Sequence, residues 1–136
     1  MINTGVDKLA YKMVENYIKV LARLRKDDMV YIRHVSDALG KIIDYTGGMN
    51  KKEFISSSKT QDAVIRQFEI VGEATKQLSK TFRDQNPEVP WKKLAGLRDK
   101  LIHDYMGVDI LAIWKSKDSD LPGLQKQIKE IIESSK

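Results

Sequence analysis

Cysteine is absent from the 136 residues, which removes disulfide scaffolds and thiolate metal sites together. Only two histidines are present, His34 and His103, too few to build a zinc site, so no metal and no other cofactor is expected. No apolar run approaches the ~20 residues that cross a bilayer, and no signal-peptide pattern opens the chain. A cytoplasmic protein that does not touch membranes is the expectation. Aromatics make up 7% and are not interleaved with the basic residues, so a stacking platform for single-stranded nucleic acid is not indicated. A glycine-rich phosphate loop is missing as well, which disfavours a nucleotide-binding bundle. No segment alternates apolar and polar residues as a strand would, and no internal repeat or low-complexity tract occurs.

What remains has ordinary globular proportions, 41% hydrophobic and 32% charged, in a length suited to one domain. The formal net charge of +5 favours an acidic partner such as RNA. Because the lysines are spread along helices, however, they also read as solvated faces. Charge alone decides little.

Taken in order, the chain predicts an all-α antiparallel bundle. Thr4 with Asp7 resembles a capping box, and Val6, Ala10, Met13, Tyr17, Val20 and Leu24 repeat at alternating steps of four and three. Three heptads are short for an independent rod, so this seam should pack on its own domain or on a sister subunit. Residues 1–26 are an N-terminal helical extension, part of the same domain or added to it, and residues 27–136 form the main domain. Asp27 or Asp28 can cap a second helix bearing Ile32, Val35, Leu39 and Ile42, stopped by Gly47-Gly48. The first two helices are either joined or separated at Lys26-Asp27. His34 reads as a surface or interface residue, or as a support for a site.

A short helix or turn around Phe54 and Ile55 should follow, with Ser56-Ser57-Ser58 as break and cap. One long helix is then expected from about Lys59 to Phe82, with Val64, Phe68, Val71, Thr75, Leu78 and Phe82 as its apolar stripe. Gly72 in its middle costs about 1 kcal/mol relative to alanine, a cost easiest to explain if another helix backbone approaches there. After the Pro87 and Pro90 interruption, Trp91 and Leu94 should anchor a further helix ending at Gly107. Asp109 can cap a helix through Trp114, and Asp118 or Asp120 a last one bearing Leu124, Ile128, Ile131 and Ile132.

The chemistry concentrates in Arg98-Asp99-Lys100-Leu101-Ile102-His103-Asp104-Tyr105. The apolar stripe of this helix centres near Leu94 and Leu101, and Arg98 falls within about 40° of that centre. A guanidinium there should face an anion, a ligand or a second subunit. Asp99 lies one turn before His103 and can orient its imidazole or favour the charged form. Arginine binds a phosphoryl group bidentately, and histidine can move the proton of a ribose 2′-hydroxyl or of a leaving 5′-oxygen. On the long helix, Glu69 and Glu73 lie one turn apart, with Arg66 along the same edge. They form either a helix-edge ion pair or a carboxylate that faces Arg98 and holds it.

These residues carry a family resemblance. Arg98, four residues, His103, Asp104 and Tyr105 resemble the Arg-x4-His-x-Tyr signature of HepT-type toxins in the HEPN superfamily. Arg66-Gln67-Phe68-Glu69-Ile70-Val71-Gly72-Glu73-Ala74 and Val89-Pro90-Trp91-Lys92-Lys93-Leu94-Ala95-Gly96-Leu97 are similar to that group too, and the likeness covers roughly Arg25 to Glu133.

The resemblance implies a metal-independent ribonuclease of a toxin-antitoxin pair, acting on RNA through Arg98 and His103, with Asp99, Glu73 and Glu69 in support. It also implies a homodimer in which two motifs share one cleft, and an MNT-type nucleotidyltransferase antitoxin that transfers AMP to Tyr105. The alternative is a non-catalytic helical module of the same shape that binds a nucleotidyltransferase or RNA without cutting.

Overall fold

The computed structural model describes the backbone of residues 4–103 and 109–136, and the side chains of residues 8–101 and 109–136. The expected end of the motif helix at Gly107 and the capping box at Thr4 and Asp7 lie outside the described side chains or backbone. Among the described residues all regular structure is helical, as the periodicities require. Helix α1 runs unbroken over Thr4–Thr46, about 65 Å at 1.5 Å per residue. The first two expected helices are therefore one.

Asp28 explains why no break occurs there. Both aspartates were candidate caps, yet α1 passes through them, and Asp28 is only 5% exposed. Its carboxylate accepts hydrogen bonds from the Ser79 amide and the Ser79 hydroxyl, both at 2.7 Å. Instead of starting a helix, Asp28 pins the connection after another one.

Beyond Asp28 the inner face of α1 buries Ile32, Val35, Leu39 and Ile42 completely. Gly48, at φ +76°, turns the chain just past the helix end, a backbone state favourable to glycine. Asn50 and Glu53 form a reciprocal capping box on α2 (Lys51–Ile55). Ser57 then caps α3 (Ser58–Lys76), which returns along α1 and is its principal packing partner.

The long helix expected to reach Phe82 ends at Lys76. Ser79 starts a separate helix, α4 (Lys80–Gln85), by accepting a hydrogen bond from the Phe82 amide at 3.1 Å. Val64, Phe68, Val71, Thr75, Leu78 and Phe82 are nonetheless all buried, because α4 continues to face the same core. Trp91, on α5 (Trp91–Ala95), packs on Phe82 with ring centroids 6.0 Å apart and donates its indole N–H to the Asn86 carbonyl.

The motif segment is likewise divided at Gly96, α5 ending at Ala95 and α6 spanning Leu97–His103. Asp109 caps α7 (Ile110–Lys115) through the Ala112 amide. The chain then passes through a π-helical turn, Ser116–Asp120, into α8 (Leu121–Ser134). Asp120 holds the N-cap position of α8 but its side chain makes no capping hydrogen bond, and Asp118 lies inside the π-helical turn, because the backbone is already helical before α8. Pro122 has no N–H to bond the carbonyl four residues earlier, and the preceding Leu121 amide reaches back to Ser116. Ile128 and Ile131 of α8 close the core against α1.

The first six turns of α1 take no part in this core. Met13 and Tyr17 are each 64% exposed, so the domain itself does not cover the seam.

Candidate active site

Gly72 decides how the motif helix sits. A Cβ built on this glycine would lie 2.9 Å from the Arg98 amide nitrogen, 3.2 Å from the Leu94 carbonyl oxygen and 3.3 Å from the Arg98 Cβ. Only a residue without a side chain lets the backbones of α3 and α6 approach this closely. The price in helix propensity is about 1 kcal/mol, and the close approach sets Arg98 directly over the middle of α3.

One residue further along α3, Glu73 meets the arginine: its Oε1 lies 3.0 Å from Arg98 Nε. The contact is one of charge rather than an aligned hydrogen bond, since Oε1 is shielded from solvent and has no well-directed donor among the described residues. Both side chains stay about half exposed, 44% for Arg98 and 46% for Glu73. At that exposure the pair contributes at most about 1 kcal/mol to stability. Its consequence is positional: Glu73 restrains one edge of the guanidinium while much of the group remains open to a ligand.

Lys76 joins these groups, and nothing in the sequence singled it out. Its Nζ lies 2.9 Å from Asp99 Oδ1 and 3.9 Å from Glu73 Oε1. Lysine one turn after a glutamate reads as a solvated pair; its second partner, Asp99, is 23 residues away on another helix and leaves no local trace. Arg98, Glu73, Lys76 and Asp99 thus form an alternating cluster of charges across the α3/α6 seam.

Glu69 takes no part in that cluster. It pairs with Arg66 at 3.8 Å along its own helix, the helix-edge arrangement. His34 is exposed, and its ring meets Tyr31 edge-on at 6.0 Å. The backbone of His103 closes α6, about 7.5 Å along the axis from Arg98. Its imidazole, and Asp104 and Tyr105 entirely, lie outside the described residues. Among the described residues no group of three or more His, Asp or Glu side chains is disposed to hold a metal ion.

On the other flank of α5 and α6 lies an open groove of about 840 Å³, with Lys92, Lys93 and Lys100 among its lining residues and Phe68, Leu94 and Leu121 contributing apolar surface. Cations therefore stand on both sides of the motif helix, a distribution suited to a polyanion.

Known proteins share much of this sequence. A family model described as Ribonuclease HepT-like matches residues 35–131. A protein of Caldanaerobacter subterraneus subsp. tengcongensis named "Putative RNase" is 40% identical over 106 residues, 78% of this chain and 95% of its own. The "Probable ribonuclease HepT" of Thermococcus cleftensis is 38% identical over 111 residues, 82% of this chain and 98% of its own. A Methanocaldococcus jannaschii protein, also named "Putative RNase", is 43% identical over 108 residues, 79% of this chain and 89% of its own. No solved structure matches significantly.

Proposed function

The chain belongs to the ribonuclease HepT-like family of the HEPN superfamily, and from that premise we propose that it is the toxin of a toxin-antitoxin pair, a metal-independent RNA endonuclease. The observation that carries the proposal is Arg98, restrained by Glu73 at 3.0 Å yet about half exposed, on the short helix that also carries His103.

In the proposed reaction the ribose 2′-oxygen attacks the adjacent phosphorus, and the 2′-hydroxyl proton passes to an imidazole. The bond from phosphorus to the 5′-oxygen breaks, and that oxygen receives a proton. The products are a 2′,3′-cyclic phosphate and a 5′-hydroxyl. Arg98 stabilises the charge gathered on the phosphorane-like transition state, and His103 serves as base or acid.

A single imidazole cannot readily perform both proton transfers at once. A homodimer placing two copies of Arg98 and His103 in one cleft supplies the second. Glu73 and Asp99 are positioning residues in this scheme, the former through Arg98 and the latter through its place one turn before His103. Glu69, paired with Arg66, has at most a remote part.

Regulation follows from Tyr105. An MNT-type nucleotidyltransferase partner would transfer AMP to its phenol oxygen, releasing pyrophosphate from ATP. The added bulk and negative charge would block a cleft built for RNA phosphates.

The test is cleavage of RNA by the purified chain in EDTA. The expected result is cleavage that is lost in His103→Ala and in Arg98→Ala while both variants keep their helical content. A folded wild type that binds RNA but leaves it intact would instead establish the non-catalytic module.

A further inference from the structure

The first six turns of α1 repeat the character of its core-facing half without a core to face. Five turns of helix take about 18 residues, so Val14, Tyr17, Leu21 and Leu24 point in the same directions as Ile32, Val35, Leu39 and Ile42. The second four are completely buried. The first four are exposed, Tyr17 at 64%. The inner stripe of α1 therefore runs on past the end of the bundle as a bare shaft. It also precedes the stretch matched by the family model, which begins at residue 35.

Its size is that of an interface. Met13 and Val20 widen the stripe along one edge and are exposed as well. Six such side chains, at on the order of 100 Å² each, offer roughly 600 Å². That is the lower end of the share one partner contributes to a stable interface of standard size.

Geometry narrows the occupant. Because the stripe faces the side on which the bundle lies, shaft and bundle end meet in a notch of about 500 Å³, with Leu21, Leu24 and Met29 on one wall and Phe82 and Ile131 on the other. The bundle end would hold a flat bilayer away from the stripe. A slim partner fits: one helix wide, apolar along one side and about 30 Å long. The shaft is itself such an element.

We propose that it pairs with the shaft of a second copy, antiparallel about a two-fold axis. Each stripe then covers the other, each free end reaches the partner's notch, and the contact closes at two copies. Lys8, Lys12, Lys19 and Lys26 project from the opposite side of the helix, so like charges face outward rather than one another. Arg98 packs on α3 at Gly72, and the paired stripes use residues of α1 alone.

The test is the solution mass of the full chain by light scattering at about 10 µM, beside a Met13→Glu, Tyr17→Glu double variant. The variant is expected to have at most half the wild-type mass, whether or not the cleft pairs copies independently, and to retain whatever RNA cleavage the wild type shows. Equal masses overturn the proposal. A wild type that is monomeric and sediments with vesicles of anionic phospholipid overturns it in favour of a membrane surface.

The cysteine-free background gives a second readout. With the shafts fully overlapped antiparallel, Met13→Cys lies near the two-fold and should form a disulfide-linked pair on mild oxidation, whereas Leu24→Cys should not. Linkage at both positions would show parallel shafts and overturn the arrangement, and linkage at neither would overturn the contact.

Discussion

Gly72→Ala sets two physical effects against each other, and the structure decides between them. Alanine in mid-helix should stabilise α3 by about 1 kcal/mol through propensity alone. Its Cβ, however, would stand 2.9 Å from the Arg98 amide nitrogen and 3.2 Å from the Leu94 carbonyl oxygen. Both are backbone atoms, so no rotamer change relieves the clash. The helices must separate by several tenths of an ångström. Overpacking of this kind typically costs about 1–3 kcal/mol, and against rigid backbone the upper part of that range applies. The net expectation is a loss of about 1–2 kcal/mol, corresponding to a melting temperature lower by roughly 3–8 °C for a domain of this size.

Urea unfolding followed by circular dichroism measures the first effect. The same separation draws Arg98 Nε away from Glu73 Oε1, now at 3.0 Å, so RNA cleavage should fall as well. A variant stabilised by about 1 kcal/mol would mean that helix propensity prevails and the two backbones are not in contact.

Other perturbations isolate other links. Asp28→Ala removes the acceptor of two hydrogen bonds from Ser79 and should cost about 2–3 kcal/mol in urea unfolding, with the Ser79 amide left unpaired. Glu73→Gln should change stability by less than about 1 kcal/mol, the pair being half exposed, yet lower kcat roughly tenfold by releasing the guanidinium from its position. An unchanged kcat would remove Glu73 from the account. Gly48→Ala should cost about 1 kcal/mol, since φ of +76° is unfavourable to a residue with a Cβ. On co-expression with an MNT-type nucleotidyltransferase, wild type should gain mass in steps of AMP and Tyr105→Phe should not; equal modification of both would refute the assignment to Tyr105.

The core was legible in the sequence because burial follows periodicity. Ile32, Val35, Leu39 and Ile42, and the stripe from Val64 to Phe82 across α3 and α4, were readable from spacing and are buried. Helix ends were less so. Asp28 has the chemistry of a cap, and only its bond to Ser79, distant in sequence, reveals that it closes a tertiary contact instead. The break before Ser79 was hidden for a related reason: α3 and α4 face one core, so the apolar pattern runs on across it.

At the site, Gly72 announced a close approach through its cost in mid-helix, and the contact with Arg98 is where that cost is explained. Choosing Glu73 over Glu69 as the neighbour of Arg98 required knowledge of how α3 and α6 are rotated, which spacing does not contain. The seam from Met13 to Leu24 showed that a face exists, and the structure adds that this domain does not cover it.

Identification of the RNA ends produced by the purified wild type in EDTA, by mass spectrometry of a short defined oligonucleotide, distinguishes 2′-hydroxyl attack from hydrolysis by water. Attack by a ribose 2′-hydroxyl assisted by Arg98 and His103 predicts a 2′,3′-cyclic phosphate facing a 5′-hydroxyl, absent from His103→Ala. A 3′-hydroxyl facing a 5′-phosphate, or the same ends from His103→Ala, would contradict it.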